Sequence, residues 1–377
     1  MTKPCEHGGA FFTAIGERFD RLERRDQVIG ADVLDAWFDP APGVVAALRE
    51  NLAWLARTSP PTHGEGLAAA IAEARGVPES NVLLGAGSSD LIFRALREFV
   101  GHDDRAVVLD PSYGEYAHVL GEVIGCRLER LALERARGFA LEPARLAAVL
   151  RSAPRLVVLV HPNSPTGRHV PRGELEDLLR AAPRATRVWI DETYVDYADP
   201  GESLERFAAE STNVFVCKSM SKAYAMSGLR VGYLVGPRDE LGALARITPP
   251  WVVGLPAQLA AVRALEDGAY YAARWRETAD LREELALGLG EAMPGVAVVP
   301  SCTNFLLAFA PAEGPPVRAL LDACEARGVF LRDVASMGNT LGAQGFRIAV
   351  KDRATNARVL AVIAAEWRTL VGSARGG

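Results

Sequence analysis

The sequence predicts an α/β fold, with a large domain in which helices sandwich a mostly parallel sheet, and a smaller α+β domain. The chain has 377 residues, and above roughly 300 residues a chain usually divides into domains. Short apolar segments alternate with helical segments between residues 82 and 235, which is typical of parallel strands buried on both faces. The alternation stops at Thr248-Pro-Pro-Trp251. We therefore expect an N-terminal segment (1–55) that is part of the small domain, a large domain (56–247) and a C-terminal small domain (248–377).

The individual elements follow from apolar periodicity and from Gly and Pro at the segment ends. Helices are predicted at 17–26, 44–55, 67–75, 113–124 and 173–182, and one more opens at 85–90 and runs to residue 100. The strands predicted for the large domain are 82–84, 106–109, 156–160, 188–190, 214–217 and 229–235. A helix-rich stretch follows, with short strands near 304–309 and 345–350.

Composition and charge exclude several classes of protein. The hydrophobic fraction of 49% and the charged fraction of 24% are ordinary for a globular chain. A net charge of −5 with dispersed Lys and Arg gives no sign of a nucleic-acid or membrane partner. Five cysteines, odd in number and without a CxxC pair, argue against a disulfide scaffold or a zinc ribbon. Without a signal-like or membrane-spanning segment, we expect a soluble cytoplasmic protein with no metal.

Lys222 is the strongest candidate for a reactive residue. It follows the predicted strand 214–217, with Ser219 and Ser221 before it and Arg230 eight residues after it. A desolvated lysine amine is a nucleophile that forms Schiff bases, while hydroxyls and a guanidinium bind phosphate. The pattern therefore favours a Schiff base with a phosphorylated cofactor. Because an isolated lysine in a loop is more often solvated, this interpretation depends on the other strand ends.

The first predicted strand of the large domain ends in a glycine-rich turn. Ligands of open α/β sheets bind beyond the carboxyl ends of the strands. Here Gly85-Ala-Gly87-Ser88-Ser89-Asp90 places two hydroxyls and backbone amides at a helix N-terminus, an arrangement that binds anions. It is not a dinucleotide fingerprint, because Asp90 occupies the third glycine position and would repel a pyrophosphate. The alternative is a simple N-cap turn.

Aromatic and acidic side chains follow two further strands. Tyr113 and Tyr116 come after the second strand, and either ring could stack on a flat heterocycle, although packing is the commoner role. Asp191 and Tyr194 follow the fourth strand. A buried acid needs a partner, and a cationic pyridinium nitrogen would be one. A phosphate cradle, a stacking ring, a carboxylate, a phenol and a Schiff-base lysine are the parts that pyridoxal phosphate (PLP) requires.

On these residues the sequence resembles the fold type I PLP enzymes, specifically the class I/II aminotransferases of the histidinol-phosphate aminotransferase and threonine-phosphate decarboxylase branch. The resemblance covers nearly the whole chain. Its most specific part is Ser219-Met-Ser-Lys222 together with Gly228-Leu-Arg-Val-Gly-Tyr233, which is similar to the family signature Ser-x-Ser-Lys…Gly-Leu-Arg-x-Gly-Tyr.

The resemblance implies a role for each matching residue. Lys222 would form the internal aldimine and act as general base, with Asp191 at the pyridine nitrogen and Tyr194 at the 3′ oxygen. Arg347 would bind the substrate α-carboxylate, and Arg332 matches the position that meets a substrate phosphate. The residues implied in cofactor binding are Gly87, Ser88, Ser89, Tyr116 (as the stacking ring), Asn163, Ser164, Asp191, Tyr194, Ser219, Ser221, Lys222 and Arg230.

The sequence departs from the family pattern at three places. Ser164 stands where the family has an asparagine that bonds the 3′ oxygen, so that either Ser164 or Asn163 takes this role. The loop 58–63 lacks the family tyrosine that reaches the neighbouring subunit, and Ser59 or His63 is at its position. His7-Gly8-Gly9 is similar to the start of threonine-phosphate decarboxylases, but Ala10 replaces the following Asn.

The resemblance implies a homodimeric enzyme that transfers an amino group between an amino acid, or an amino-alcohol phosphate, and a 2-oxo acid. The alternative is a PLP-dependent decarboxylase or lyase acting on an amino acid or its phosphate ester, because the same parts serve whichever Cα bond stands perpendicular to the ring. A non-catalytic PLP-fold regulator is disfavoured because Lys222, Asp191 and Arg230 are all present.

Overall fold

The computed structural model describes residues 8–375; His7 of the His7-Gly8-Gly9 match and Cys5 lie outside them. The predicted α/β fold is confirmed in this part of the chain. The strands are β1 (Ile29–Gly30), β2 (Val82–Gly85), β3 (Arg105–Asp110), β4 (Arg127–Ala132), β5 (Leu156–Val160), β6 (Arg187–Asp191), β7 (Val214–Ser219), β8 (Gly232–Val235), β9 (Ala297–Val298), β10 (Phe305–Phe309), β11 (Val329–Phe330), β12 (Arg332–Asp333) and β13 (Gly345–Ala349).

Helices cover the faces of the sheets. The α-helices are α1 (Phe12–Ile15), α2 (Pro42–Arg57), α3 (Glu65–Arg75), α4 (Ser88–Phe99), α5 (Gly114–His118), α6 (Pro143–Arg151), α7 (Arg172–Arg180), α8 (Val195–Ala198), α9 (Glu205–Glu210), α10 (Met220–Ala223), α11 (Arg238–Arg246), α12 (Leu255–Glu266), α13 (Gly268–Ala292), α14 (Val317–Ala326) and α15 (Arg353–Arg375). The α5 helix continues as a π-helical turn, Val119–Ile124. No helix among residues 8–375 is long and apolar enough to cross a membrane.

The main sheet has the strand order β2-β8-β7-β6-β5-β3-β4. All its pairings are parallel except those of β8, which is antiparallel to both neighbours. Successive residues of one strand enter different cores: Val188 and Ile190 pack on one face and Trp189 on the other. Burial on both faces explains why these strands are continuously apolar. The carboxyl ends of β2, β3, β5, β6 and β7 therefore meet at one edge.

A second, antiparallel sheet has the order β12-β13-β10-β9, and the N-terminal segment is joined to this part of the chain. β1 pairs in parallel with β11, and the backbone N–H of Ala349 donates to the carbonyl of Ala31 at 3.0 Å. Asn304 Nδ2 donates to the carbonyl of Leu34 at 2.9 Å. These contacts support our proposal that residues 1–55 belong with the small domain.

Three local predictions were wrong. The strand β4 was missed because it lies at the sheet edge, and its exposed Arg and Glu side chains interrupt the apolar run. The helix predicted at 17–26 is limited to a short 3-10 turn, Leu22–Arg24. The strand predicted to begin at residue 229 begins at Gly232, because Arg230 adopts a left-handed conformation with φ of 57°.

Candidate active site

A cavity of about 320 Å³ opens at the carboxyl edge of the main sheet. β5, β6 and β7 reach it with their last residues, Val160, Asp191 and Ser219, as expected for an open α/β sheet. The structure thus brings together residues that are far apart in the sequence. The predicted site residues that line the cavity are Ser88, Ser89, Asp191, Tyr194, Ser219, Ser221, Lys222, Arg230 and Arg347.

One wall of the cavity is the N-terminus of α4. Gly87 precedes the helix with φ of +84°, and a Cβ at this position would collide with the guanidinium of Arg230. The backbone amides at Ser88 and Ser89 have no partner inside the helix, and the helix dipole adds positive potential. This wall is therefore suited to an anion, and Arg230 adds a full positive charge.

The adjoining wall follows β7. Ser221 N–H donates to Ser219 Oγ at 3.3 Å, which begins the short helix α10. Arg230 Nη1 donates to Ser221 Oγ at 3.2 Å and to the carbonyl of Ser227 at 2.9 Å. Two hydroxyls, two helix-terminal amides and a guanidinium therefore converge on one end of the cavity, and this donor set fits the phosphate of PLP.

Asp191 is buried at the floor of the cavity. Its Oδ1 accepts from the N–H and hydroxyl of Thr193 at 3.0 and 2.6 Å, and its Oδ2 accepts from the Tyr116 hydroxyl at 2.7 Å. Burial raises the pKa of the Asp191 carboxyl, and the hydrogen bonds from Thr193 and Tyr116 offset part of this effect. Since these donors are all neutral, the carboxylate fits a cationic ring nitrogen such as that of PLP.

Arg347 lines the cavity from β13 and is 7% exposed. Its Nη1 donates to Ser164 Oγ at 3.2 Å and its Nη2 to the carbonyl of Asp32 at 3.1 Å. Its Nε is buried without a partner. Burial lowers the pKa of Arg347 to about 10. No carboxylate of residues 8–375 forms an ion pair with this guanidinium, although a buried cation normally has one.

Lys222 lines the cavity and contacts a carboxylate that belongs to none of the sequence motifs. Its Nζ lies 2.8 Å from Asp35 Oδ1 and 3.4 Å from Ser227 Oγ. Asp35 belongs to the irregular segment between β1 and α2, 187 residues away in the sequence. No local pattern indicates this contact, because the segment is brought to the site by long-range contacts, namely the pairing of β1 with β11 and the hydrogen bonds from Arg347 to Asp32 and from Asn304 to Leu34.

The comparison with known proteins identifies the family. The family model described as aminotransferase class I and II matches residues 35–363. This chain belongs to the class I and II aminotransferases. Among its relatives, the histidinol-phosphate aminotransferase of Anaeromyxobacter sp. is 34% identical over 332 residues, which are 86% of each chain. Histidinol-phosphate aminotransferase 1 of Thiobacillus denitrificans is 31% identical over 323 residues, 85% of this chain and 80% of the relative.

Solved structures share the fold of this aminotransferase. The histidinol-phosphate aminotransferase from Sinorhizobium meliloti, in complex with pyridoxal-5′-phosphate, has a TM-score of 0.81 at 22% identity and covers 98% of this chain and 99% of its own. L-threonine-O-3-phosphate decarboxylase from Porphyromonas gingivalis has a TM-score of 0.74 at 24% identity, covering 88% and 96%. The family and the fold together make this chain a PLP-dependent aminotransferase of fold type I.

The stacking ring predicted for this aminotransferase is corrected by the structure. Tyr116 is fully buried, and its hydroxyl donates to Asp191 and accepts from Trp189 Nε1 at 2.8 Å. Tyr113 lines the cavity instead. The two rings pack edge to face with their centroids 6.0 Å apart. Tyr116 was the wrong choice because, one turn into α5, it points behind Asp191, whereas Tyr113 precedes the helix.

Neither Asn163 nor Ser164, the two residues predicted to contact the 3′ oxygen of PLP, lines the cavity. Asn163 Nδ2 donates to the carbonyl of Pro111 at 3.1 Å and to Thr166 Oγ1 at 2.9 Å, so its amide stabilises its own turn. Ser164 accepts from Arg347 and hydrogen-bonds Tyr194. Ser164 therefore orients two residues of the aminotransferase cavity from behind.

Arg332 and the loop 58–66 do not line the cavity within the described chain. Arg332 is the register partner of Arg347 on β12, so that both side chains lie on the same face of the sheet. In the loop, Ser59 and His63 are exposed, and the carbonyl of Thr62 accepts from Trp251 N–H at 2.8 Å. No cluster of His, Cys, Asp or Glu among residues 8–375 could hold a metal ion.

Proposed function

We propose that this aminotransferase acts on an amino acid whose α-carboxylate binds Arg347, and that it passes the amino group to a 2-oxo acid. The observation that carries the proposal is a buried guanidinium on the cavity wall with an unpartnered Nε. A carboxylate can accept two parallel hydrogen bonds from a guanidinium, and it would neutralise a charge whose burial is costly.

The residues around the cavity would divide between them the binding of the cofactor and the transfer of protons. The amides of Ser88 and Ser89 and the side chains of Ser219, Ser221 and Arg230 would hold the PLP phosphate. When bound, PLP supplies the electron sink for cleavage of bonds at the substrate Cα. Asp191 would keep the ring nitrogen protonated, and Tyr194 would donate to the 3′ oxygen. Lys222 would attach the cofactor and, once released, carry the Cα proton as general base.

A phosphorylated amino alcohol is a second candidate substrate. Arg332 and Arg347 are opposite each other on β12 and β13, and the charge of Arg332 contributes to lowering the pKa of Arg347. Two guanidinium groups on one face favour a dianion over a single carboxylate. Histidinol-phosphate aminotransferases are among the relatives of this chain, which also supports this candidate.

We also propose that the enzyme is a cytoplasmic homodimer. Large apolar side chains are exposed near the loop 58–66: Trp54 is 49% exposed and Trp251, whose N–H bonds Thr62, is 55% exposed. Such side chains are typical of protein interfaces. Light scattering on the PLP-loaded protein should give twice the mass of one chain, and a fully active monomer would contradict the proposal.

The reaction is tested on the purified, PLP-loaded enzyme with a panel of amino acids and amino-alcohol phosphates. We expect one donor class to convert the cofactor absorbance to that of pyridoxamine phosphate and to release the matching oxo compound. Release of CO2 without conversion of the cofactor absorbance would show that the enzyme is a decarboxylase and not an aminotransferase. Lys222→Ala is the control, since it should bind PLP without a covalent bond. Borohydride reduction and peptide mass spectrometry of the wild type should place the label on Lys222 and not on Lys218 or Lys351.

A further inference from the structure

The carboxylate of Asp35 forms a hydrogen-bonded ion pair with the Lys222 amine. Besides Lys222 Nζ at 2.8 Å, Asp35 Oδ1 accepts from the Ser227 hydroxyl at 2.6 Å. The segment is held on both sides of Asp35. Before it, the carbonyl of Leu34 accepts from Asn304 Nδ2 at 2.9 Å, and after it, Trp37 Nε1 donates to Thr278 Oγ1 at 2.8 Å. The position of the carboxylate is therefore fixed by the fold and does not depend on Lys222 alone.

Asp35 carries a negative charge near neutral pH. Burial by itself would raise the pKa of this carboxyl, but the charge of Lys222 and the hydrogen bonds from Lys222 and Ser227 outweigh it and lower the pKa below the usual value. The other titratable groups that act on Asp35, or on which it acts, are Lys351, Tyr194 and Tyr197. Of these, Lys351 adds positive charge, with Nζ 3.5 Å from the Asp35 carbonyl.

Asp35 borders the cavity through its contact with Lys222, although it is not one of the residues that line the cavity. Its side chain is 45% exposed and the Lys222 side chain 20% exposed, and Lys222 itself lines the cavity. In an aminotransferase the lysine nitrogen and the substrate nitrogen exchange places at one carbon atom. The incoming substrate amine is cationic near neutral pH before it reacts, and Lys222 becomes cationic once it has taken up the Cα proton. Asp35 lies within hydrogen-bond distance of the place where the exchange occurs.

We propose that Asp35 is the ammonium subsite of this enzyme: it binds the amino group of the incoming substrate while Lys222 holds the cofactor, and binds Lys222 after the exchange. This rests on the function proposed above, in which Lys222 attaches PLP and Arg347 binds the carboxylate. Arg347 and Asp35 then receive the two charged ends of an amino-acid zwitterion. An oxo acid has only the first of these charges, so Asp35 selects for the amino substrate.

Asp35→Asn tests the subsite, because it removes the charge and keeps the shape. Asp39→Asn is the matched control, since Asp39 is an exposed acid on the same segment. In the PLP-free protein, Asp35→Asn should increase the rate at which an amine reagent modifies Lys222 at pH 8, read by mass spectrometry, because the carboxylate no longer stabilises the protonated amine. In the PLP-loaded protein, the pH midpoint of the cofactor absorbance should fall by about one unit.

Substrate binding provides the second measurement. Asp35→Asn should raise the KM of the amino donor about 10- to 100-fold, while the inhibition constant of the deaminated analogue, which keeps the carboxylate, stays the same. Ser227→Ala, which removes one hydrogen bond to Asp35, should give a smaller change in the same direction and controls for misfolding of the first variant. Equal Lys222 reactivity and equal donor KM in Asp35→Asn and Asp39→Asn would overturn the subsite. If the wild type carries no PLP on Lys222, the function proposed above fails instead.

Discussion

Gly232 lies against the backbone of Gly87. A Cβ at residue 232 would come within 2.7 Å of the Gly87 carbonyl carbon and 2.8 Å of the Ser88 nitrogen. The start of β8 therefore supports the turn that presents the amides of α4 to the cavity. This contact gives a physical reason for a glycine two residues after Arg230.

Gly232→Ala should displace this turn and weaken PLP binding. Overpacking against backbone costs about 1–3 kcal/mol, which corresponds to roughly a 5- to 150-fold increase in the Kd of PLP, measured by fluorescence titration. Gly228→Ala is the matched control, because a Cβ at residue 228 would meet nothing within 4 Å. Equal affinities of the two variants would contradict the supporting role of Gly232.

Arg347→Met should raise the KM for a carboxylate substrate about 10- to 100-fold, because a hydrogen-bonded charge pair is lost. The Kd of PLP should stay unchanged in the same variant. Arg332→Met distinguishes the two candidate substrates: it should affect a phosphorylated amino alcohol strongly and a plain amino acid little. An Arg347→Met enzyme with the wild-type KM for every donor would refute the assignment of the carboxylate site.

Tyr113→Ala should weaken PLP binding about tenfold, since stacking of an aromatic ring contributes roughly 0.5–1.5 kcal/mol beyond its buried area. Tyr113→Phe should retain most of the affinity because the ring is preserved. The measurement is the Kd of PLP for both variants. If Ala and Phe lose the same affinity, the hydroxyl of Tyr113 and not its ring carries the interaction.

His161 should make the stability of the protein depend on pH. Its ring is buried, and its Nε2 lies 2.8 Å from the carbonyl oxygen and 3.0 Å from the backbone nitrogen of Val170. Burial together with the neighbouring His169 lowers its pKa from 6.5 to about 3. Between these values the unfolded chain binds a proton at His161 and the folded chain does not. The stabilisation is therefore complete above pH 6.5 and is lost as the pH falls toward 3, by up to about 1.4 kcal/mol per pH unit.

His161→Asn should reduce this pH dependence, because asparagine does not titrate. The free energy of unfolding, measured with urea at pH 7 and pH 4.5, should differ less between the two pH values in the variant than in the wild type. His102→Asn, at an exposed histidine, should leave the wild-type difference unchanged. The same pH difference in all three proteins would show that His161 does not titrate in the unfolding transition.

The sequence by itself was sufficient for the fold class, for the family and for the cofactor. Strands buried on both faces are continuously apolar, so β5, β6 and β7 were visible without a structure. The residues at the ends of those strands, Asp191 and Ser219 among them, must meet at one edge of a parallel sheet. Lys222 and Arg230 follow β7 closely enough for the same local reasoning to place them at the cavity.

Only the tertiary structure decided which side chains face the cavity and what approaches from elsewhere in the chain. Whether Tyr113 or Tyr116 faces the cavity depends on where α5 begins. Because α5 begins at Gly114, Tyr113 lies before the helix and faces the cavity, whereas Tyr116 lies within the helix and is buried. The sequence places Ser164 at a strand end and therefore near the cofactor. Its hydrogen bond with Arg347, 183 residues away, has no local sequence signal. Asp35 has no local signal as a site residue, since its approach to Lys222 depends on long-range contacts of residues 29–34, among them the pairing of β1 with β11. Local periodicity records burial, whereas long-range contacts depend on how the chain segments pack together.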